Sequence, residues 1–241
     1  MDPTWVFVVG TYRTGSTTQY LLTEAIVERT KSGIGIGYEK ESKLVEFDKP
    51  ENGRYVVAKV FKYLPETSAQ GQKFLEEGRL KAVGTVRDPR DIIVSMRERS
   101  RDLGNVDWNF QKTVTRDFPI WLGQFLQWAD LGKDLVLVTR FEDMIVALKK
   151  EVNRIAQHLS IKVSSDLAHH IAADFSLTAQ IRRKKKFFGS KDPSKREHPM
   201  LPSIPGWKFG TSGVWKTWLS AVDVRLVTKH TAAYMKRWGY R

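Results

Sequence analysis

Apolar positions fall in short, valine-rich runs separated by longer amphipathic stretches. Trp5–Val9, Tyr55–Phe61, Leu80–Val86 and Leu135–Thr139 are apolar almost throughout, the pattern of strands buried on both faces. Ser16–Arg29, Asp91–Arg101, Ala147–Leu159 and Val222–Lys236 repeat their apolar residues at helical spacing. This alternation predicts an α/β protein, a single domain with a central parallel β-sheet flanked by helices. Gly33–Gly37 suits either a loop or a weak strand, and Trp108–Trp128 reads as a helix that Pro119 is placed to break. Within it Phe118, Trp121, Phe125 and Trp128 lie near helical spacing, as a core stripe or as the wall of a pocket. Residues 1–241 show no internal repeat and no dividing linker, so one domain is expected. A basic, Pro/Gly-rich excursion over about 182–213 is expected to be mobile.

Composition narrows the classes. The 241 residues are 41% hydrophobic, and the periodic blocks argue against disorder. With no cysteine, disulfide scaffolds, cysteine zinc sites and thiol catalysis are excluded. Trp5–Val9 is too short to span a bilayer, and Met-Asp-Pro-Thr before it is no basic leader. A cytoplasmic protein without a transmembrane segment is expected. The net charge of +13 implies an anionic partner: nucleic acid, an acidic membrane or a phosphorylated cofactor. Eight basic residues and one acid, Asp192, lie from Arg182 to Arg196, and the run suits a solvated loop or helix end. Aromatic platforms and finger motifs are lacking, so no nucleic acid is expected as partner. Adjacent His169 and His170 diverge on a helix, and no metal is expected.

The strongest local signal is Val9-Gly10-Thr11-Tyr12-Arg13-Thr14-Gly15-Ser16-Thr17, between a buried strand and a helix. Glycines let the backbone approach an anion, and a helix N-terminus offers N–H groups and a positive dipole end. Two glycines four residues apart match the phosphate loop of nucleotide triphosphatases, but Ser16-Thr17 stands where that loop has lysine followed by a hydroxyl residue. Arg13 supplies the cation from inside the loop instead. The bland alternative is an ordinary strand-to-helix turn capped by Ser16.

Tyr12-Arg13-Thr14-Gly15-Ser16-Thr17 resembles the 5′-phosphosulfate loop of sulfotransferases that use 3′-phosphoadenosine 5′-phosphosulfate (PAPS). Its Arg-Thr-Gly-Ser-Thr form is similar to carbohydrate and bacterial members. The resemblance implies a P-loop-like nucleotide-binding fold, PAPS as co-substrate without metal, adenosine 3′,5′-bisphosphate (PAP) as product, and a small-molecule or glycan acceptor. It places Arg13, Thr14, Gly15, Ser16, Thr17 and Thr18 on the nucleotide, with Arg13 on the leaving-group oxygen. Thr18 replaces the tryptophan that stacks on adenine in many members, so another aromatic must do so.

Arg87-Asp88-Pro89-Arg90-Asp91-Ile92-Ile93-Val94-Ser95 is by itself either a capped helix with surface ion pairs or a phosphate site. It resembles the family's 3′-phosphate motif at every characteristic position, which implies Arg87 and Ser95 as ligands and Asp91 as an orienting or capping group. Arg140-Phe141-Glu142-Asp143-Met144 is similar to a third segment, with Phe141 near the adenine in place of tyrosine. Adjacent Glu142 and Asp143 suit a structural role better than an acid/base pair. Gly206-Trp207-Lys208-Phe209-Gly210-Thr211-Ser212-Gly213-Val214-Trp215-Lys216 resembles the carboxyl-terminal motif, with Lys208, Phe209 and Gly210 folding over the 3′-phosphate. Arg182 and Arg183 are substitutes for the arginine that Lys208 replaces.

The base is the obscure part. Phe61-Lys62-Tyr63-Leu64-Pro65 aligns with the family's Lys-x-His-Leu-Pro, with Tyr63 in the histidine's place. A neutral phenol is a poor base near pH 7. Some members use a glutamate after the second strand, which makes Glu39 the leading candidate here, ahead of Glu41, with His198 an outsider. Lys62, or Lys59, would contact the sulfuryl oxygens or face solvent. Alternatives are a P-loop nucleotide kinase-like phosphotransferase, a basic nucleic-acid-binding module and a catalytically inactive nucleotide binder.

Overall fold

The computed structural model describes residues 2–38, 53–102, 104, 108–188 and 211–241, with the side chains of 102 and 183–188 set aside. Five strands, β1 (Thr4–Gly10), β2 (Gly33–Tyr38), β3 (Tyr55–Lys59), β4 (Leu80–Val86) and β5 (Val136–Arg140), form one sheet in the order β2-β3-β1-β4-β5. All four pairings are parallel. The helices are α1 (Ser16–Arg29), α2 (Leu64–Thr67), α3 (Ala69–Glu76), α4 (Pro89–Asp102), α5 (Phe110–Lys112), α6 (Phe118–Asp130), α7 (Phe141–Val146), α8 (Leu148–His158), α9 (Ser165–Asp174), α10 (Leu177–Phe188), α11 (Trp215–Trp218) and α12 (Ala221–Trp238).

Strand β1 shows why its sequence is a continuous apolar run. Trp5, Phe7 and Val9 pack on one face with Phe74 of α3, Phe118, Phe125 and Trp128 of α6, and Tyr234 of α12. Val6 and Val8 pack on the other with Leu22 and Ile26 of α1, Val152 and Ile155 of α8, and Ile171 of α9. Successive side chains point to opposite faces, so a strand covered on both sides must be apolar at every position. Each large apolar side chain buried in this way contributes about 1.5–3 kcal/mol.

Three segments that the pattern left open are resolved in the fold. Gly33–Tyr38 is a strand. A Cβ on Gly35 would lie 2.3 Å from Glu24 Oε1 and 2.6 Å from the Tyr20 hydroxyl, so glycine lets α1 lie against β2. The 108–128 stretch is broken into α5, a π-helical turn over Thr113–Asp117, and α6 with Pro119 in its first turn. Proline is tolerated there because first-turn N–H groups lack an intrahelical partner. The basic run Arg182–Lys186 is the end of helix α10, the second of the two readings offered for it.

Strand β1 lies between β3 and β4, so the connections turn opposite ways at its carboxyl end. Such a switch point opens a crevice in which open α/β sheets bind ligands. The first loop and the Arg87 and Arg140 segments leave from this edge.

Candidate active site

The first loop leaves β1 at Gly10 and enters α1 at Ser16. Arg13 adopts a left-handed conformation with φ 68°, and the buried Thr14 braces the turn by donating from Oγ1 to Thr11 O at 2.9 Å. Gly15, at φ 92°, is the N-cap of α1, and no side chain caps the helix. The Ser16 cap of the alternative reading is therefore not used. A Cβ on Gly15 would come within 2.6 Å of Phe141 Cδ2, so the glycine serves both the turn and the approach of α7. The first-turn N–H groups of α1 point into the crevice, a donor set suited to an anionic oxygen cluster. Thr17 and Thr18 are half-buried on the first turn, and Ser16 is buried.

Two cations flank this turn. Arg13 donates from Nε to Ser95 Oγ at 2.9 Å. Lys59 ends β3, is buried, and donates from Nζ to Thr17 Oγ1 at 2.7 Å. Burial, with the charge of Arg13 adding to it, lowers Lys59 to about 8. Lys62, the lysine favoured from sequence, is exposed, and its carbonyl accepts from Trp128 Nε1 at 2.9 Å. Lys59 ends the strand and reaches the loop through Thr17, whereas Lys62 lies beyond the strand. Lys59 had a readable signal, as the one charged residue in the apolar run Tyr55–Phe61.

Tyr63 belongs to the core, with its ring edge-on to Trp128 at 5.3 Å between centroids. Phe61 stands beside Lys59 instead, its ring centroid 5.4 Å from Nζ, and stacks on Tyr12 at 4.5 Å. Trp121 meets Tyr12 edge-on at 4.9 Å, and Tyr38 lies 5.4 Å from Phe61. The α6 aromatics thus divide: Phe118, Phe125 and Trp128 are core, whereas the half-buried Trp121 reaches the crevice.

Arg87, at the end of β4, is the hub of the second motif. It donates from Nη1 to Arg13 O at 3.1 Å and from Nη2 to Thr211 O at 2.9 Å. Its guanidinium lies 4.3 Å from the centroid of Phe141. Phe141 is 6% exposed, held between Arg87 and Gly15. Most of its surface is taken up in supporting the loop. Burial works against the Arg87 charge, and Asp91, Glu142 and Asp88 counter it.

Asp91 is 0% exposed and accepts from the backbone N–H groups of Gly213 at 2.7 Å and Trp215 at 2.9 Å. Burial raises its carboxyl, opposed by these two bonds and by Arg87. Arg90 stacks 3.9 Å from the Trp215 ring centroid while pairing with Asp88. Arg97 donates to Trp218 O at 3.0 Å. Helix α4 therefore clasps the carboxyl-terminal segment, a connection that sequence order alone did not disclose. Glu142 is structural, accepting from Asp88 N at 3.2 Å and from the Tyr240 hydroxyl at 2.9 Å.

The structure thus brings Arg13, Thr14, Gly15, Ser16, Thr17, Arg87 and Ser95 together at one edge. Glu39, Glu41, His198, Lys208, Phe209 and Gly210 lie outside the described residues. Among the described residues no acidic and histidine cluster could hold a metal, and no helix is long and apolar enough to cross a membrane.

Comparison with known proteins agrees with this geometry. A sulfotransferase-domain model matches residues 3–239. A mouse sulfotransferase, SULT7A1, complexed with PAP superposes with a TM-score of 0.68 at 21% identity, covering 98% of this chain and 86% of its own. Retinol dehydratase in complex with androsterone and inactive cofactor PAP gives 0.66 at 19% identity, covering 98% and 82%. No curated protein sequence matches the chain. The family match decides against the kinase reading of the loop: the chain belongs to the sulfotransferase family.

Proposed function

We propose that the protein transfers a sulfuryl group from PAPS to a hydroxyl or amine of a small-molecule or glycan acceptor by in-line displacement. The observation that carries this reading is the convergence of an uncapped α1 N-terminus, Arg13, Lys59, Arg87 and Ser95 on one crevice. The PAP named in the two structural neighbours supports it. PAPS brings an already activated sulfuryl group, so the protein's task is positioning and charge stabilisation.

In this reading the N–H groups of Gly15, Ser16 and Thr17, with the Thr14, Ser16 and Thr17 hydroxyls, hold the 5′-phosphate, and Thr18 lines its edge. Arg13 neutralises the charge that grows on the leaving phosphate, and Lys59 faces the sulfuryl oxygens. Arg87 and Ser95 bind the 3′-phosphate, together with Lys208, Phe209 and Gly210. Glu39, directly after the last residue of β2, takes the acceptor proton where the acceptor needs a base, with Glu41 the second candidate.

Calorimetry without added metal tests the nucleotide assignment. PAP should bind about 10- to 100-fold more tightly than adenosine 5′-monophosphate, which lacks the 3′-phosphate, because a charge-assisted contact contributes roughly 1.5–3 kcal/mol. Equal affinities would remove Arg87 and Ser95 from that role.

A further inference from the structure

We propose that the carboxyl-terminal helix α12 sets the preference for a 3′-phosphorylated nucleotide: Tyr234 is a positioning residue for Arg87, and Tyr240 assists it through Glu142. This rests on the assignment of Arg87 and Ser95 to the 3′-phosphate in the reading above.

The last in-register pair of β4 with β5 is Val86 with Arg140, so the backbone of Arg87 lies past the ladder. Buried N–H and C=O groups there must find partners elsewhere. One hydroxyl takes both, since a phenol can donate and accept at once. Tyr234 Oη accepts from Arg87 N at 3.2 Å and donates to Arg87 O at 3.3 Å, across 147 positions of sequence. The next N–H, that of Asp88, goes to Glu142 Oε1 at 3.2 Å, and Glu142 Oε2 accepts from the Tyr240 hydroxyl at 2.9 Å. Gly239, at φ 71°, ends α12, and the N–H of Tyr240 returns to Met235 O at 2.9 Å, the turn of a Schellman motif. That turn lays the Tyr240 ring parallel to Tyr234, 7° apart in plane and 6.4 Å between centroids.

Two tyrosines of one helix end therefore hold the step at which Arg87 leaves the sheet. Fixing the N–H and the C=O of one residue fixes both flanking peptide planes, and with them the direction in which its side chain departs. An arginine that must meet a phosphate needs that origin held to a fraction of an ångström. Helix α4 starts at Pro89, two residues later, and carries Ser95, so the same anchor serves both 3′-phosphate ligands. Burial raises the Tyr234 hydroxyl above its ordinary range, which keeps its proton available to Arg87 O. The Tyr234 ring packs in the core beneath the sheet; the hydroxyl alone makes the connection to Arg87, so the two contributions can be separated.

Calorimetry of PAP and of adenosine 5′-monophosphate, with melting curves alongside, makes the test. Tyr234→Phe keeps the ring and removes the hydroxyl. It should lower the preference for PAP about tenfold, with the monophosphate affinity within about twofold of the parent's. Tyr240→Phe should lower the preference about threefold, because Glu142 still meets Asp88. Thr231→Val removes an equally buried hydroxyl from the same helix, one that donates to Val227 O at 2.8 Å. It should lose stability and keep the parental preference.

A parental preference in folded Tyr234→Phe would overturn the proposal. So would an equal fall in affinity for both nucleotides, or a matching loss of preference in Thr231→Val. Where Tyr234→Phe does not fold, Tyr240→Phe decides in the same way, and an unchanged preference there overturns the proposal. A parent that binds both nucleotides equally would instead remove the assignment of Arg87 and Ser95 on which it rests.

Discussion

Replacing Asp91 by alanine separates the nucleotide crevice from the segment that α4 holds against it. The side chain is fully buried and its two oxygens each accept one backbone N–H, from Gly213 and from Trp215, at 2.7 and 2.9 Å. Hydrogen bonds to a charged acceptor contribute roughly 1.5–3 kcal/mol each. Gly213 and Trp215 are only half-buried, so water can recover part of the loss, and about 2–4 kcal/mol is the expected total cost. That lowers the docked population of the segment by roughly 30- to 1,000-fold relative to the undocked one. Arg87, which donates to Thr211 in the same segment, loses its nearest opposing charge at the same time. The expected outcome is a PAP affinity at least about 30-fold weaker and faster tryptic cleavage after Lys216. The helical circular dichroism should be retained, because the large apolar clusters on both sheet faces are untouched. Asp91→Asn, which keeps one acceptor oxygen but adds donors, should fall between the parent and the alanine variant. An alanine variant with parental PAP affinity and parental protection at Lys216 would refute the clasp.

Three further outcomes are expected. Arg13→Ala should fold normally and lose turnover by about two orders of magnitude or more, and retained turnover would move the leaving-group charge to Lys59. Anion binding favours the ammonium form of Lys59, which titrates at about 8; calorimetry across pH should show proton uptake above that value and an affinity that falls with rising pH by at most about tenfold per unit. Without nucleotide the sign reverses: the lowered lysine costs stability below pH 8, and the cost fades as pH rises toward the ordinary value of 10.5, so a flat difference between parent and Lys59→Met in both measurements would refute the assignment. Glu39→Gln should bind PAP as the parent does and lose more turnover as the acceptor becomes less acidic, whereas equal turnover across acceptors would show that Glu39 is not the base.

The strands and the main helices were legible because a sheet covered on both sides leaves continuous apolar runs in its strands and period-3.6 signals in its helices, as in Trp5–Val9 and Ser16–Arg29. The first and second motifs were legible because loop glycine, hydroxyl and arginine are needed at fixed local spacing. What the chain did not disclose is what depends on contacts between distant segments. Lys59 and Lys62 differ by three positions, and only the strand's end at Lys59, with its bond to Thr17, decides which reaches the loop. Phe141 reads as a residue near the adenine, and its packing between Arg87 and Gly15 shows only in the fold. Asp91 meets Gly213 across 122 positions, beyond any local pattern.

The sheet order has a consequence for how such a protein can change. Nucleotide ligands are assigned to the ends of β1 and β4, with β5 supporting them through Phe141, while the exposed aromatic rings follow β2 and β3 on the opposite side of β1. On the proposed assignments, recognition of the donor and selection of the acceptor therefore occupy largely separate halves of one edge, joined at the Tyr12–Arg13 step and at Lys59. Substitutions after β2 or β3 can retune one partner while the other keeps its affinity. The phenotype of a variant becomes readable from its strand: a shift in acceptor preference on one side, a loss of PAP on the other, and both together at the shared step. A scaffold divided in this way can diversify its chemistry of recognition without rebuilding its source of sulfate.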